Sequence, residues 1–465
     1  MPYRLVALIL LTCVAVAHAA DPNDSNWPQW RGPQATGVQP AGDPPTKWSE
    51  TENVKWKVKL PGKGTSTPIV WDKYVFIHAA SPAPKTEAAA APTADGIGAV
   101  TLALQQQPNQ QPGGRRGGPA GGRGGFGGGG PPTDKYQFVL LCLDRESGKT
   151  LWQKVVREEV PHEGHHRDHG FASHSPVTDG KLVFAYFGSR GLHCFDIQGN
   201  LKWQKDLGRM QTKNSFGEGS SPALHGDTLV INWDHEGEDF IVALNKNTGD
   251  ELWRQPRNED TSWATPLVVE HGGKAQVVVS ATGKVRSYDL KTGKQIWEVG
   301  GMTSNAIPTP VAAGDMVYLT SGFRASVLLA VKLGREGDLT GTDAIVWKHN
   351  KNTPYVPSPL LYGDRLYLFS VNSNVLSCFD AKTGKVLIDS QRVEDLEGVY
   401  ASPVGAADRV YLTGRNGATV VIKNADTFEV IGTNKLDERI DASPAIAGNE
   451  LFLRGTDSLY CIAKK

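Results

Sequence analysis

Neither sign of charge prevails in this chain of 465 residues: Lys plus Arg and Asp plus Glu number 49 each. Without a net field, nothing in the composition draws it to nucleic acid or to an anionic membrane. Beyond the first twenty residues no apolar run is long enough to span a bilayer, so no transmembrane segment is expected. Cysteines are few, five in all, and no Cys-x-x-Cys-His stretch exists for covalent haem attachment. The chain is also too long for one ordinary core unless its architecture is modular.

What is present is repetition. The stretch SYDLKTGKQIW (287–297) has near-copies in CLDRESGKTLW (142–152) and CFDAKTGKVLI (378–388). A unit written several times is one that cannot stand alone. Eight Ser-Pro or Thr-Pro pairs mark the period, at Thr67, Ser175, Ser221, Thr265, Thr309, Ser358, Ser402 and Ser443. After the first gap their prolines recur every 41 to 49 residues. Each pair is followed by an apolar run, a Gly or Asp turn and a strand such as RVYLTG. A strand ending in Asp or Asn comes next, then a turn, then a strand that often ends in Trp. Four short strands per unit predict an all-β, eight-bladed β-propeller of four-stranded antiparallel blades.

Within the repeat, Asp144, Asp289 and Asp380 are placed to bond the backbone of the turns they start. Gly148, Gly293 and Gly384 supply the positive φ of a tight turn. Trp152 and Trp297 fall on outer strands, where a flat side chain fills the wedge between blades. Trp203, Trp253 and Trp347 are comparable, and Ile388 and Ile431 in the sixth and seventh units predict thinner packing there. The last unit stops at LYCIAKK without a fourth strand, while NVKWKVKLP (53–61) precedes the first Pro signature and carries Trp56. The N-terminal strand is therefore expected to complete the last blade and close the ring, so that no open edge remains.

The start of the chain, MPYRLVALILLTCVAVAHAADPND, has a basic residue, an apolar stretch and an Ala-x-Ala pattern. It reads as a signal peptide over residues 1–20, and so as export to the periplasm or outside the cell. Residues 21–80 would hold the N-terminal segment, the closing strand and the start of blade one, and residues 133–465 the rest of the propeller. Residues 81–132 between them, ending in GGRRGGPAGGRGGFGGGGPP, lack the apolar surface to offset ordering entropy and are expected to form a disordered insert. Cys142, Cys194, Cys378 and Cys461 occupy one strand position in different units, which predicts buried free thiols.

The Asp-x-x-Thr-Gly-Lys-x-x-Trp turn, the eight units and the opening NWPQWRGP (26–33) resemble the exported pyrroloquinoline-quinone-like (PQQ-like) β-propeller repeat proteins. That resemblance links the chain to quinoprotein dehydrogenases and to the propeller lipoprotein of outer-membrane barrel assembly. It implies a quinone with Ca²⁺ as the cofactor alternative, with an Asp base and usually an adjacent Cys-Cys pair. No Cys-Cys pair occurs here. The expectation is a non-enzymatic binding or scaffold module with no cofactor, monomeric, taking an unidentified protein or small molecule at the channel mouth.

The connections PHEGHHRDHGFASH (161–174), WDHEGED (233–239) and RNEDTSW (257–263) should gather on one face of the ring. The tentative binding residues are His165, His169, Asp234, His235, Glu236, Arg257 and Trp263. His165 and His169, four apart, are the weak metal candidates, with Asp168 or Glu163 to complete a shell if the loop were helical. No catalytic residue is assigned, since GEGSSP (217–222) is not a nucleophile elbow.

Overall fold

The computed structural model describes residues 25–85, 128–371 and 373–464. Among these residues the strands form eight antiparallel sheets of four, one of them carrying a short parallel fifth strand. Blades one to seven span 69–159, 177–205, 223–256, 267–300, 311–349, 360–392 and 404–435. Blade eight comprises Ala445–Ala447, Glu450–Arg454 and Ser458–Ile462, completed on its outer edge by Val54–Lys59. Val54 faces Ile462 and Val58 faces Leu459 in that pair. The ring closes as expected from the orphan strand at the N-terminus.

The repeated turn now has a physical reading. Asp289 Oδ1 accepts the Thr292 N–H and hydroxyl, and the Gly293 N–H donates to the Asp289 carbonyl. Gly293 has φ +72°, and a Cβ there would lie 2.6 Å from the Trp253 ring of the preceding blade. The same indole donates its N–H to the Leu290 carbonyl at 2.8 Å. Trp56 on Gly148, Trp152 on Gly199, Trp203 on Gly249 and Trp347 on Gly384 repeat this contact. Across the sheet from each Trp stands a small residue: Cys142 opposite Trp152, Cys194 opposite Trp203, Ala243 opposite Trp253, Cys461 opposite Trp56. The four cysteines among the described residues are free and buried, and burial pushes the thiols up, to about 12 for Cys194 and Cys378.

Packing at blade seven departs from the expectation of thinness. Gly432, not Ile431, stands opposite Val421, and Ile431 faces solvent. The vacancy admits the N-terminal segment: a Cβ on Gly432 would meet the Thr46 carbonyl at 2.7 Å. Trp48 enters this wedge, stacks on Tyr411 and is held by its N–H to Asn434. Ile388, by contrast, does sit in the Trp position, buried opposite Cys378.

The Ser-Pro and Thr-Pro pairs build a girdle around the axis. The Thr67 N–H donates to the Ser175 hydroxyl, Ser175 N–H to Ser221, Ser221 N–H to Thr265, and Thr265 N–H to Thr309. Thr309, Ser358 and Ser402 continue the series to Ser443, whose carbonyl accepts the Thr67 hydroxyl. Proline follows because the inner strand needs no further ladder donor there. Every blade is thus tied to the next through a side chain only Ser or Thr provides.

Strand Tyr74–Pro82 runs two residues into the stretch expected to be the insert, pairing Ser81 with Gln137 and Pro82 with Tyr136. Residues 86–127 and the expected signal peptide lie outside the described residues.

Candidate functional site

One end of the axis is closed by the segment that follows residue 25. Trp27 bridges Val70 of blade one, Pro28 accepts from Thr178 of blade two, and Thr36 accepts from Leu361 of blade six. Val38 bridges Gly405 of blade seven, and Gln39 donates to Ile446 of blade eight. Arg31 is buried beneath the girdle and donates to the carbonyls of Pro359 and Pro403. NWPQWRGP is therefore a floor laid across the inner strands, next to their first turns, and Trp30 faces up from it.

Above Trp30 a cavity of about 740 Å³ opens toward the face that carries the blade connections. Aromatic side chains line it: Trp30, Phe216, Trp263, Phe323, Tyr355 and Tyr400. Girdle residues Ser175, Ser221, Ser402 and Ser443 contribute to its wall. Two carboxylates reach it, and both are held by guanidiniums. Asp168 contacts Arg415 at 2.7 Å and Arg439 at 2.8 Å, and Asp441 contacts the same two at 2.7 and 2.8 Å. Arg415 also lies 3.9 Å over the Tyr400 ring. Burial raises the Asp441 carboxyl, with Arg415 opposing that rise. Lys213 is paired with Asp260. Arg324, exposed at the mouth, is the one charged lining residue without an ion pair among the described residues. It has φ +63°, and Asn305 and Asn214 in the same wall have φ +61° and +53°.

Of the seven residues expected to bind, the structure brings His169 and Trp263 to this cavity. His169 Nδ1 lies 3.0 Å from the Ser173 hydroxyl, and burial pulls the ring down to about 4. Trp263 is mostly covered and donates to the Gly217 carbonyl. The other five do not line it; they hold the connections together. Asp234 and Arg257 form a buried ion pair at 2.5 Å, with Ser262 and Tyr288 as further partners. His235 Nδ1 accepts the Gln211 and Gly237 N–H groups, so its proton resides on Nε2, 3.1 Å from the Glu238 carbonyl. Glu236 accepts from the Thr261 N–H and hydroxyl. His165 packs edge-on against Phe171, and its Nδ1 lies 2.8 Å from the His166 carbonyl.

The loop from 165 to 169 is a turn rather than a helix, so the i, i+4 arrangement of His165 and His169 does not form. Among the described residues no group of three or more His, Cys, Asp or Glu is placed to hold a metal ion. The connections do converge on one face, as expected. Glu163 of the first accepts from Thr212 in the loop between blades two and three, whose Lys213 donates to Asp260 of the third, and Glu236 of the second accepts from Thr261 of the third. Gly129, where the described chain resumes after 127, donates to the His165 carbonyl there.

Sequence reasoning missed Trp30, Tyr355, Tyr400, Phe323 and Arg324. The first lies in the NWPQWRGP stretch, a signal read only as a family likeness. The rest sit in connections of blades five to seven, whose short polar loops carry no repeated pattern.

A family profile described as outer membrane protein assembly factor BamB matches residues 92–238 and 136–390 in two overlapping stretches. The outer membrane protein assembly factor BamB of Shewanella oneidensis is 23% identical over 297 residues, 61% of this chain. The match covers 66% of that relative, so the chain spans about two thirds of its length. Among solved structures, BamB from Moraxella catarrhalis superposes with a TM-score of 0.51 at 15% identity, covering 71% of this chain and 94% of that one. Quinohemoprotein alcohol dehydrogenase from Comamonas testosteroni gives 0.62 at 10% identity, covering 95% and 81%. Identities this low speak for the fold. With the profile spanning more than half of its residues, the chain belongs to the PQQ-like propeller family described as outer membrane protein assembly factor BamB.

Proposed function

We propose that this chain is an exported, non-enzymatic binding propeller whose ligand enters the axial cavity from the face of the blade connections. The observation that carries the reading is the cavity itself, floored by Trp30 and lined by aromatic side chains on a rigid closed ring. Concave, mostly apolar sites with a few placed polar groups are where ligands bind. The absence of an assigned chemistry rests on the residues present. Both cavity carboxylates are neutralised by Arg415 and Arg439, and His169 is too weak a base at about 4 to activate the neighbouring Ser173 hydroxyl at neutral pH. Export is supported by the composition of residues 1–20.

The quinone with Ca²⁺ fits these residues poorly. A divalent cation needs several oxygen donors with uncompensated charge, and the two available carboxylates already serve guanidiniums. The four thiols lie inside strands Tyr136–Asp144, Leu192–Asp196, Val375–Asp380 and Ser458–Ile462, not beside the cavity. A role in protein contact, as the family description suggests, is the second reading. It is favoured by exposed Leu151, Leu201, Leu252, Val346 and Val430 on the outer strands of blades one, two, three, five and seven. The test is native mass spectrometry of protein purified from its own cells. The reading predicts a bound non-protein mass that is lost in Tyr355→Ala. A bare chain that instead co-purifies with outer-membrane assembly proteins, and loses them in Leu201→Asp or Leu252→Asp, favours the second reading.

A further inference from the structure

The girdle has a property its structural role does not use. Ser175, Ser221, Thr265, Thr309, Ser358, Ser402 and Ser443 each accept a backbone N–H from the preceding blade. None of the seven hydroxyls donates to a protein atom among the described residues; only Thr67, the eighth, does so, to the Ser443 carbonyl. The ring is buried, and buried hydrogen-bond donors find acceptors. Four of the seven, Ser175, Ser221, Ser402 and Ser443, line the cavity, so their hydroxyls are placed to donate to a molecule bound there in exchange for water.

Three further features narrow what can supply them. The floor and upper walls present aromatic faces, Trp30 below and Phe323, Tyr355 and Tyr400 above. Apart from Arg324 at the rim, the charges of the lining are paired: Asp168 and Asp441 with Arg415 and Arg439, and Lys213 with Asp260. The imidazole of His169 is uncharged at neutral pH. The volume, about 740 Å³, suits a ligand larger than a single ring. A ligand rich in neutral oxygen acceptors, with apolar C–H faces to lay on aromatic rings, has the chemistry of a sugar.

We infer that the axial cavity takes a short neutral saccharide, its C–H faces against Trp30 and Tyr355 and its oxygens accepting from the serine girdle. This rests on the reading of the cavity as the binding site and adds the class of ligand. The test titrates the full chain with maltotriose, cellotriose, mannotriose and chitotriose, and with trigalacturonate as the charged counterpart. Tryptophan fluorescence and heat of binding are the readouts. The expected result is one-to-one binding of at least one neutral trisaccharide, weakened about tenfold by Trp30→Ala and by Tyr355→Ala, the scale of one lost stacking contact. Tyr355 projects from a connection and not from the floor, so its variant stays informative if Trp30→Ala fails to fold. Failure of all four neutral sugars to bind overturns the inference. So does tighter binding of trigalacturonate that falls with Arg324→Ala. A non-saccharide occupant found in protein from its own cells, and lost in Tyr355→Ala, leaves the cavity reading standing and removes only the sugar.

Discussion

A tryptophan resting on the turn glycine of the next blade is the contact that joins most neighbours in this ring. At Gly293 two requirements coincide: φ of +72° excludes most side chains, and the Trp253 ring fills the space a Cβ would take. Gly293→Ala should therefore destabilise the protein by about 1–3 kcal/mol, the range of small overpacking changes. Chemical denaturation reads this directly, and an unchanged midpoint would show that the ring slides aside without cost. Buried histidines form a second set of informative residues. His78 Nδ1 donates to the His174 carbonyl, and burial lowers the ring from its ordinary 6.5 to about 3. His169, His174 and His193 are lowered for the same cause. An unfolded chain binds these protons below 6.5 while the folded one does not. Stability that is complete above pH 6.5 should thus drain away as pH falls toward 4, by about 1.4 kcal/mol per pH unit for each neutral ring. Urea unfolding between pH 7 and 5 should show this slope, made shallower by His78→Gln. An identical slope in the variant would remove His78 from the account.

At the scale of elements, two N-terminal pieces complete what the repeats leave open. Val54–Lys59 supplies the missing outer strand of blade eight, and Trp56 carries the inter-blade contact across the seam, donating to the Arg145 carbonyl at 2.9 Å. Trp56→Ala removes a buried aromatic from the one junction made by distant parts of the chain, and should cost about 3–5 kcal/mol. Thermal unfolding of the variant should begin at a lower temperature and lose cooperativity as blade eight detaches. A melting curve like that of the parent chain would mean that the girdle alone holds the ring shut. The floor segment differs in kind from the closing strand. It forms only scattered bridges and side-chain bonds, and its work is to seal one end of the axis so that a channel becomes a cavity.

For the whole molecule, the ring was legible because packing repeats. The Ser-Pro and Thr-Pro pairs, the Asp-turn-Gly spacing and the orphan strand with Trp56 each express a contact made in most blades, and a pattern written that often can be read. Trp48 could not be foreseen in the blade-seven wedge, because it serves a single gap left by Gly432. The site was half legible for the same reason. Loops rich in His, Asp and Glu stood out by composition, and His169 with Trp263 does face the cavity. Yet Asp234, His235, Glu236 and Arg257 are polar in order to bind one another under the mouth, and composition does not separate a residue that meets a ligand from one that braces a loop. Trp30 reaches the site from more than a hundred residues away from the nearest of those loops, through a crossing that only the folded ring creates. Whether the axial cavity is a binding site is tested by a crystal structure of the full chain purified from its own cells. Non-protein density should lie above the Trp30 ring, within hydrogen-bonding reach of the Ser175, Ser221, Ser402 and Ser443 hydroxyls. An axis holding only ordered water, in protein that still carries its native partners, would show that the cavity is not a ligand site.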